Sequence, residues 1–140
     1  MSDSFFLDTN ILVYSFDSTQ PAKSLRAKEL IRDALASGKG VLSYQVVAEF
    51  LNVALRRFSR PMTPIEAEQY LSITLVPLLA VQSSRALFVQ ALRLSRDHSV
   101  SWYDSLILAA ALEARCSVLY SEDFQHGQRF SGLRVVNPFL

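Results

Sequence analysis

A chain of 140 residues, half of them apolar, has enough material for a substantial core, and residues 1–140 read as a single domain. A formal charge of +1 supplies no overall field for nucleic acid, so any basic surface must be local. One cysteine excludes an internal disulfide, no basic start leads into a long apolar stretch, and the longest apolar runs (75–81 and 106–112) are too short to span a bilayer. The expectation is a cytoplasmic protein with no leader and no membrane association.

Phe5-Phe6-Leu7 reads as a short, fully buried strand of a parallel sheet. Asp8 stands where that strand should end, and Asn10 is placed to cap a helix over 11–14. Ligands of open α/β sheets bind outside the carboxyl ends of the strands. Asp8 is therefore either a site residue or a plain turn cap. Pro21 opens a half-exposed helix that runs to Ser37 and stops at Gly38. Residues 40–43 form a second strand, and Ser43 caps a helix over 44–58. Apolar side chains cover most of that helix. Gln45, Glu49, Asn52 and Arg56, at steps of four, three and four, still make one narrow polar stripe. The stripe is a solvated face or the lining of a cleft; its short, non-repetitive composition favours the cleft.

Thr63-Pro64-Ile65-Glu66 matches a capping box with proline at the first helical position, predicting a helix to about residue 73. Leu75-Val76-Pro77 reads as a third strand ended by its proline. Ser83 or Ser84 caps a helix to about Arg96, with Arg85, Arg93 and Arg96 outward. Trp102-Tyr103-Asp104-Ser105 opens a helix to about residue 112 that is apolar nearly all round and so buried. Asp104 in its first turn suits the helix dipole, but a carboxylate this near the core needs a partner, and a metal ion is one. Residues 117–120 form a fourth buried strand, ending in Ser121-Glu122-Asp123. Residues 133–136 form a last, edge strand. The alternation predicts an α/β fold: a central, mostly parallel sheet of about five strands with helices on both faces.

In that fold Asp8 and Asp123 share one edge of the sheet, with Asp104 at a helix start and Glu49 facing the same edge. Converging carboxylates repel one another, which raises their pKa values unless a cation compensates. Hard oxygen ligands favour Mg²⁺ or Mn²⁺. Mg²⁺ typically takes one or two carboxylates, several waters and substrate phosphate oxygens, and such ions promote phosphodiester hydrolysis. Thr9, Asn10 and Ser121 add neutral groups suited to orienting ligands. Other chemistries lack parts. There is no His-Glu-x-x-His, no P-loop around Gly38-Lys39, and no Gly-x-Ser-x-Gly elbow. His98 and His126 read as loop or surface residues. A phosphatase with a strand-end Asp nucleophile wants a second Asp where this chain has Asn10.

Leu7-Asp8-Thr9-Asn10, Glu49 within 46–51, Trp102-Tyr103-Asp104-Ser105-Leu106-Ile107, and Leu119-Tyr120-Ser121-Glu122-Asp123-Phe124 follow one another along nearly the whole chain. In that order they resemble the PIN-domain family, and most closely its VapC-type ribonuclease toxins of bacterial type II toxin–antitoxin pairs. The resemblance implies a three-layer α/β/α PIN-like fold and a Mg²⁺- or Mn²⁺-dependent endoribonuclease that hydrolyses RNA phosphodiester bonds. It also implies a homodimer and a small VapB-like antitoxin that covers the acidic site. It assigns Asp8, Glu49, Asp104 and Asp123 as the catalytic, metal-holding quartet. Asp8 and Asp104 are the expected direct ligands, and Glu49 and Asp123 hold a second ion or waters and assist deprotonation. Thr9, Asn10 and Ser121 match supporting positions; Ser121 replaces a frequent Thr but keeps the hydroxyl. Only one of Glu122 and Asp123 should face the site, and Asp123 is expected to. Candidate RNA contacts are Asn52, Arg56 and Arg85, with Arg57 and Arg60 as further possibilities, and Arg56 is preferred because it shares the polar stripe. The alternative is a non-catalytic PIN-like module that binds RNA or protein. Loss of one acid would favour it, and none is lost.

Overall fold

The computed structural model describes residues 2–140. Phe5–Leu7 form β1, and the chain turns at once into α1 (Thr9–Tyr14). The N-cap of α1 is Asp8, which accepts from the Thr9 N–H, not the expected Asn10. α2 (Pro21–Ser37) begins on a proline, whose missing N–H matters little in a first turn, and ends at Gly38 with φ 71°. A Cβ on Gly40, the first residue of β2 (Gly40–Ser43), would meet the Ala34 Cβ at 2.2 Å and the Phe5 ring at 2.8 Å. Glycine there lets α2 and β1 close on β2. Ser43 caps α3 (Tyr44–Arg56) by accepting from the Val46 N–H.

Thr63 and Glu66 complete the expected capping box at the start of α4 (Pro64–Tyr70). The helix then widens into a π turn over Leu71–Leu75, closed by the Val76 N–H donating to the Leu71 carbonyl. It tightens into a single turn, α5 (Val76–Leu78), before the strand β3 (Leu79–Val81). The strand expected at 75–77 is therefore helical, and the true strand begins two residues after Pro77. Leu75 and Leu78 are buried three residues apart while Val76 and Pro77 face outward, a helical spacing hidden inside an apolar run. Pro77 lies in the first turn of α5, where it is tolerated.

Ser84 caps α6 (Arg85–His98) and Ser101 caps α7 (Trp102–Glu113), in which every residue from Ser105 to Ala111 is buried. β4 (Val118–Tyr120), β5 (Arg129–Phe130) and β6 (Leu133–Val136) complete a six-stranded sheet of order β3-β2-β1-β4-β6-β5. All neighbours are parallel except the β5–β6 hairpin. The sheet thus has six strands, not five, and β6 is interior, with the antiparallel β5 at the edge. Two residues carry no alternation to read, so β5 is defined by its pairing alone.

The strands step outward from β1 through β2 to β3. The α6–α7 crossover then returns the chain to β4, on the other side of β1. Right-handed crossovers place α1 to α5 on one face and α6 with α7 on the other. The direction reverses between β1 and β4, which is where open α/β sheets leave a crevice at the carboxyl ends. Cys116 is buried, and burial pushes its thiol up to about 12, so it serves packing. Among the described residues, no helix is long and apolar enough to cross a membrane.

Candidate active site

The crevice is built by the residues that follow β1 and β4. The Asp8 N–H donates to the Tyr120 carbonyl at 3.0 Å, and the Ser121 N–H donates to the Val136 carbonyl at 3.1 Å. The sheet ladder therefore continues one residue past each strand and fixes Asp8 beside Ser121. Asp8 is 4% exposed. One of its oxygens accepts from the Thr9 N–H at 2.7 Å and the other from the Ser121 hydroxyl at 2.7 Å. Burial, ahead of every other influence, raises its pKa to about 7. The Ser121 and Thr9 hydrogen bonds pull the other way, and the charges of Asp123 and Glu49 add smaller upward pushes. The sequence pointed to mutual repulsion as the main cause; desolvation is the larger one.

The neutral residues hold the other acids. The Thr9 hydroxyl donates to Glu49 Oε1 at 2.8 Å, tying α1 to α3. Asn10 Nδ2 donates to Asp123 Oδ2 at 3.1 Å, and the Asp123 N–H donates to Ser121 Oγ at 3.0 Å. Glu122 turns away: it pairs with Lys23 at 2.9 Å and accepts from the Tyr14 hydroxyl. Lys23 also lies over the Tyr14 ring, 4.6 Å from its centroid. This knot anchors the turn after β4 and leaves Asp123 on the crevice side.

Asp8, Glu49, Asp104 and Asp123 line one pocket of about 300 Å³, together with Thr9, Gln45, Asn52, Val53, Arg57, Tyr103 and Ile107. Clefts of about 400 and 560 Å³ lie elsewhere on the molecule, without a comparable set of acids. Asp104 is half-buried at the rim and not in the core. Arg56 and Arg85 are not among the pocket residues. Arg85, at the start of α6, lines a separate cleft with Arg93 and Asp97. Arg57 takes the place expected for Arg56. The pocket follows the row Gln45, Glu49, Val53, Arg57, at steps of four, which is inclined to the axis of α3. The stripe read from the sequence reaches the pocket through Gln45, Glu49 and Asn52 but ends on Arg56 in place of Arg57. Gln45, the first residue of the stripe, does line the pocket, but the sequence passed over Tyr103; the Gln45 amide donates to the Tyr103 carbonyl at 3.2 Å and ties α3 to α7.

The acids offer hard oxygen donors, and among the described residues two buried oxygens, Asn10 Oδ1 and Gln45 Oε1, have no hydrogen-bond partner. Gln45 lines the pocket and the Asn10 amide reaches Asp123, and an unpaired buried acceptor suits a cation or its hydration shell. Among the described residues, no group of three or more His, Cys, Asp or Glu side chains is arranged to hold a metal ion. A structural zinc site needs such a group, whereas Mg²⁺ keeps several waters and takes only one or two carboxylates. Replacing Thr9 by Val should release Glu49 while keeping the volume. We expect a loss of about tenfold in any activity of the pocket, the scale typical of groups that orient ligands. Steady-state rates alongside a thermal melt check this; an unchanged rate would remove Thr9 from a positioning role.

An open α/β domain with a buried carboxylate and three further acids over its topological switch point is the class that fold and site define. The PIN domain model matches residues 5–129, and the chain belongs to the PIN domain family. No curated protein matches the sequence significantly. Several solved structures share the fold. A chain of a toxin–antitoxin complex from Klebsiella pneumoniae is 20% identical, with 96% of this chain and 98% of that one covered and a TM-score of 0.67. VapC20 of Mycobacterium tuberculosis, described as a sarcin-ricin loop cleaving toxin, is 20% identical over 86% and 90% of the two chains, with a TM-score of 0.61. A chain of the DNA-bound VapBC of Salmonella typhimurium is 19% identical over 96% and 97%, with a TM-score of 0.62.

Proposed function

We propose that this protein is a Mg²⁺- or Mn²⁺-dependent endoribonuclease, the toxin component of a toxin–antitoxin pair. The observation that carries the reading is the placement of Asp8, Glu49, Asp104 and Asp123 around one open pocket, with Asp8 buried. Asp8 and Asp104 are the residues to hold the ion, with Glu49 and Asp123 beside them. When bound, such an ion stabilises charge on the phosphoryl oxygens and lowers the pKa of water. The chain's own residues do the rest. The Thr9 N–H and the Ser121 hydroxyl fix both oxygens of Asp8. Thr9 holds Glu49 through Oε1, and Glu49 is the group to take a proton from the attacking water. Asn10 orients Asp123. A VapB-like antitoxin as partner agrees with the fold shared with chains of toxin–antitoxin complexes, and a homodimer as the working form is part of the same reading. In the test, folded, partner-free protein is incubated with total RNA in Mg²⁺, Mn²⁺ or EDTA. Fragmentation that the chelator stops is expected. Intact RNA in both metals would overturn the nuclease and leave a binding module.

A further inference from the structure

Asp123 sits in residues 121–128, which form neither helix nor strand between β4 and β5. A site residue on such a segment needs its backbone fixed from outside. Two sets of contacts do this, one on each side of Asp123. On the first side both oxygens of Glu122 are taken: Oε1 accepts from the Tyr14 hydroxyl, and Oε2 from Lys23 Nζ at 2.9 Å. Lys23 Nζ also donates to the Tyr14 oxygen at 3.3 Å, and it lies 4.6 and 5.5 Å from the centroids of the Tyr14 and Phe139 rings. Those two rings meet edge to face, 5.0 Å apart. On the other side His126 Nδ1 accepts from the Asn137 N–H at 3.0 Å. Asn137 Oδ1 in turn accepts from the Phe139 N–H at 3.0 Å, and Pro138 between them restricts the backbone of the turn. Residues 137–139 thus touch the segment directly at His126, and at Glu122 through Lys23. An isolated surface ion pair contributes little. Here the charged side chains of Lys23 and Glu122 are only 31% and 25% exposed, and each is bound to more than one partner.

We infer that Lys23 and residues 137–139 position Asp123, clamping the segment that carries it at Glu122 and at His126. They are positioning residues and lie outside the set that lines the acidic pocket. The inference rests on the reading of Asp123 as one of the acids that hold the ion or its waters. It adds that the pocket depends on a cation of α2 and on the residues after β6, neither of which that reading contains. The charge of Lys23 matters because it meets Glu122 and two ring faces at once. A neutral side chain of similar length fills the space but leaves Glu122 with Tyr14 alone. Arginine keeps the charge, the donors and the contact with an aromatic face.

The test measures Mn²⁺ binding to the full chain without RNA, from the electron paramagnetic resonance signal of the free ion. Lys23→Met should raise the dissociation constant about tenfold, the scale at which supporting partners act on a metal site. Lys23→Arg should bring it back to within about twofold of wild type. In an Asp123→Asn background the Lys23→Met change should have no further effect, because its route runs through Asp123. A lysine that only stabilises the fold would weaken binding equally in both backgrounds. Backbone NMR relaxation gives a second readout that needs no metal. Residues 121–128 should have order parameters near about 0.85 in wild type and below about 0.6 in Phe139→Ala, while the sheet stays rigid. Wild-type Mn²⁺ binding by Lys23→Met, an equal loss in both backgrounds, or a rigid segment in Phe139→Ala would overturn the positioning role. Binding that responds as described, in a protein that never cuts RNA, keeps the positioning role and removes the nuclease. Cleavage and Mn²⁺ binding that Lys23→Met leaves unchanged keep the nuclease and remove the positioning role. Should wild type bind no Mn²⁺, the metal reading falls and the relaxation measurement alone decides for or against the clamp.

Discussion

Replacing Asp104 by Asn should lower RNA hydrolysis by more than about 100-fold, the upper range seen even for residues that only support metal ligands, while the protein stays folded. Asp104 is half-buried and lines the pocket, and among the described residues no side-chain hydrogen bond holds it. The cap of α7 is made by the Ser101 hydroxyl accepting from the Asp104 backbone N–H, which the substitution leaves untouched. The structural loss is the favourable contact of an acid with the helix N-terminus, about 0.3–1 kcal/mol, or a few degrees of melting temperature at most. The functional loss is a hard anionic oxygen at the mouth of the pocket, which an amide does not replace. Initial rates on one defined RNA, paired with circular-dichroism melts, separate the two. Wild-type rates would take Asp104 out of the site, and a collapsed melt would make its role structural.

Asp8→Asn should do the opposite to stability in chelator: at pH 8 the variant should melt higher than wild type, by about 5–10 °C. Burial holds the Asp8 carboxyl at about 7, against 3.8 ordinarily. The folded state therefore binds more protons than the unfolded state between those values, so stability falls as pH rises from about 4 towards 7. Above 7 the whole difference is present, on the order of 4 kcal/mol for a three-unit displacement. An Asn removes the buried charge. Its carbonyl can still accept from the Thr9 N–H, and its amide can donate to Ser121 Oγ in place of the bond seen here. The advantage of the variant should shrink to near nothing at pH 4, where wild-type Asp8 is protonated in the folded state. Activity should be lost at every pH. A variant that melts lower than wild type at pH 8 without metal would show that Asp8 is held for structure and not against a cost.

The path from sequence to site was clearest where local chemistry is decisive. Phe5-Phe6-Leu7 followed by an acid marks a buried strand and its carboxyl end in four residues, and the capping box at Thr63 and Glu66 appears as written. The polar stripe on α3 identified a cleft, because Gln45, Glu49 and Asn52 stand out on an otherwise apolar helix. The legibility ended where distant packing decides. Nothing local distinguishes the helical turn at 75–78 from a strand, since the run from 75 to 81 is apolar throughout. Arg57 replaces Arg56 because the pocket crosses α3 obliquely, and the crossing is set by α1 and α7, not by α3 itself. Glu122 and Asp123 are equivalent as letters. They are separated by Lys23 and Tyr14, about a hundred residues away in sequence, which claim Glu122.

The central claim is tested most directly by stripping the protein with EDTA, removing the chelator, and titrating Mg²⁺ or Mn²⁺ back while cleavage of one labelled RNA is followed. The structure leads us to expect no cleavage in the stripped protein and a saturable return of activity with either ion. Asp8→Asn and Asp104→Asn should remain inactive at the highest metal concentration. Full cleavage by the stripped protein, or by either variant, would contradict a metal-dependent site built on these carboxylates.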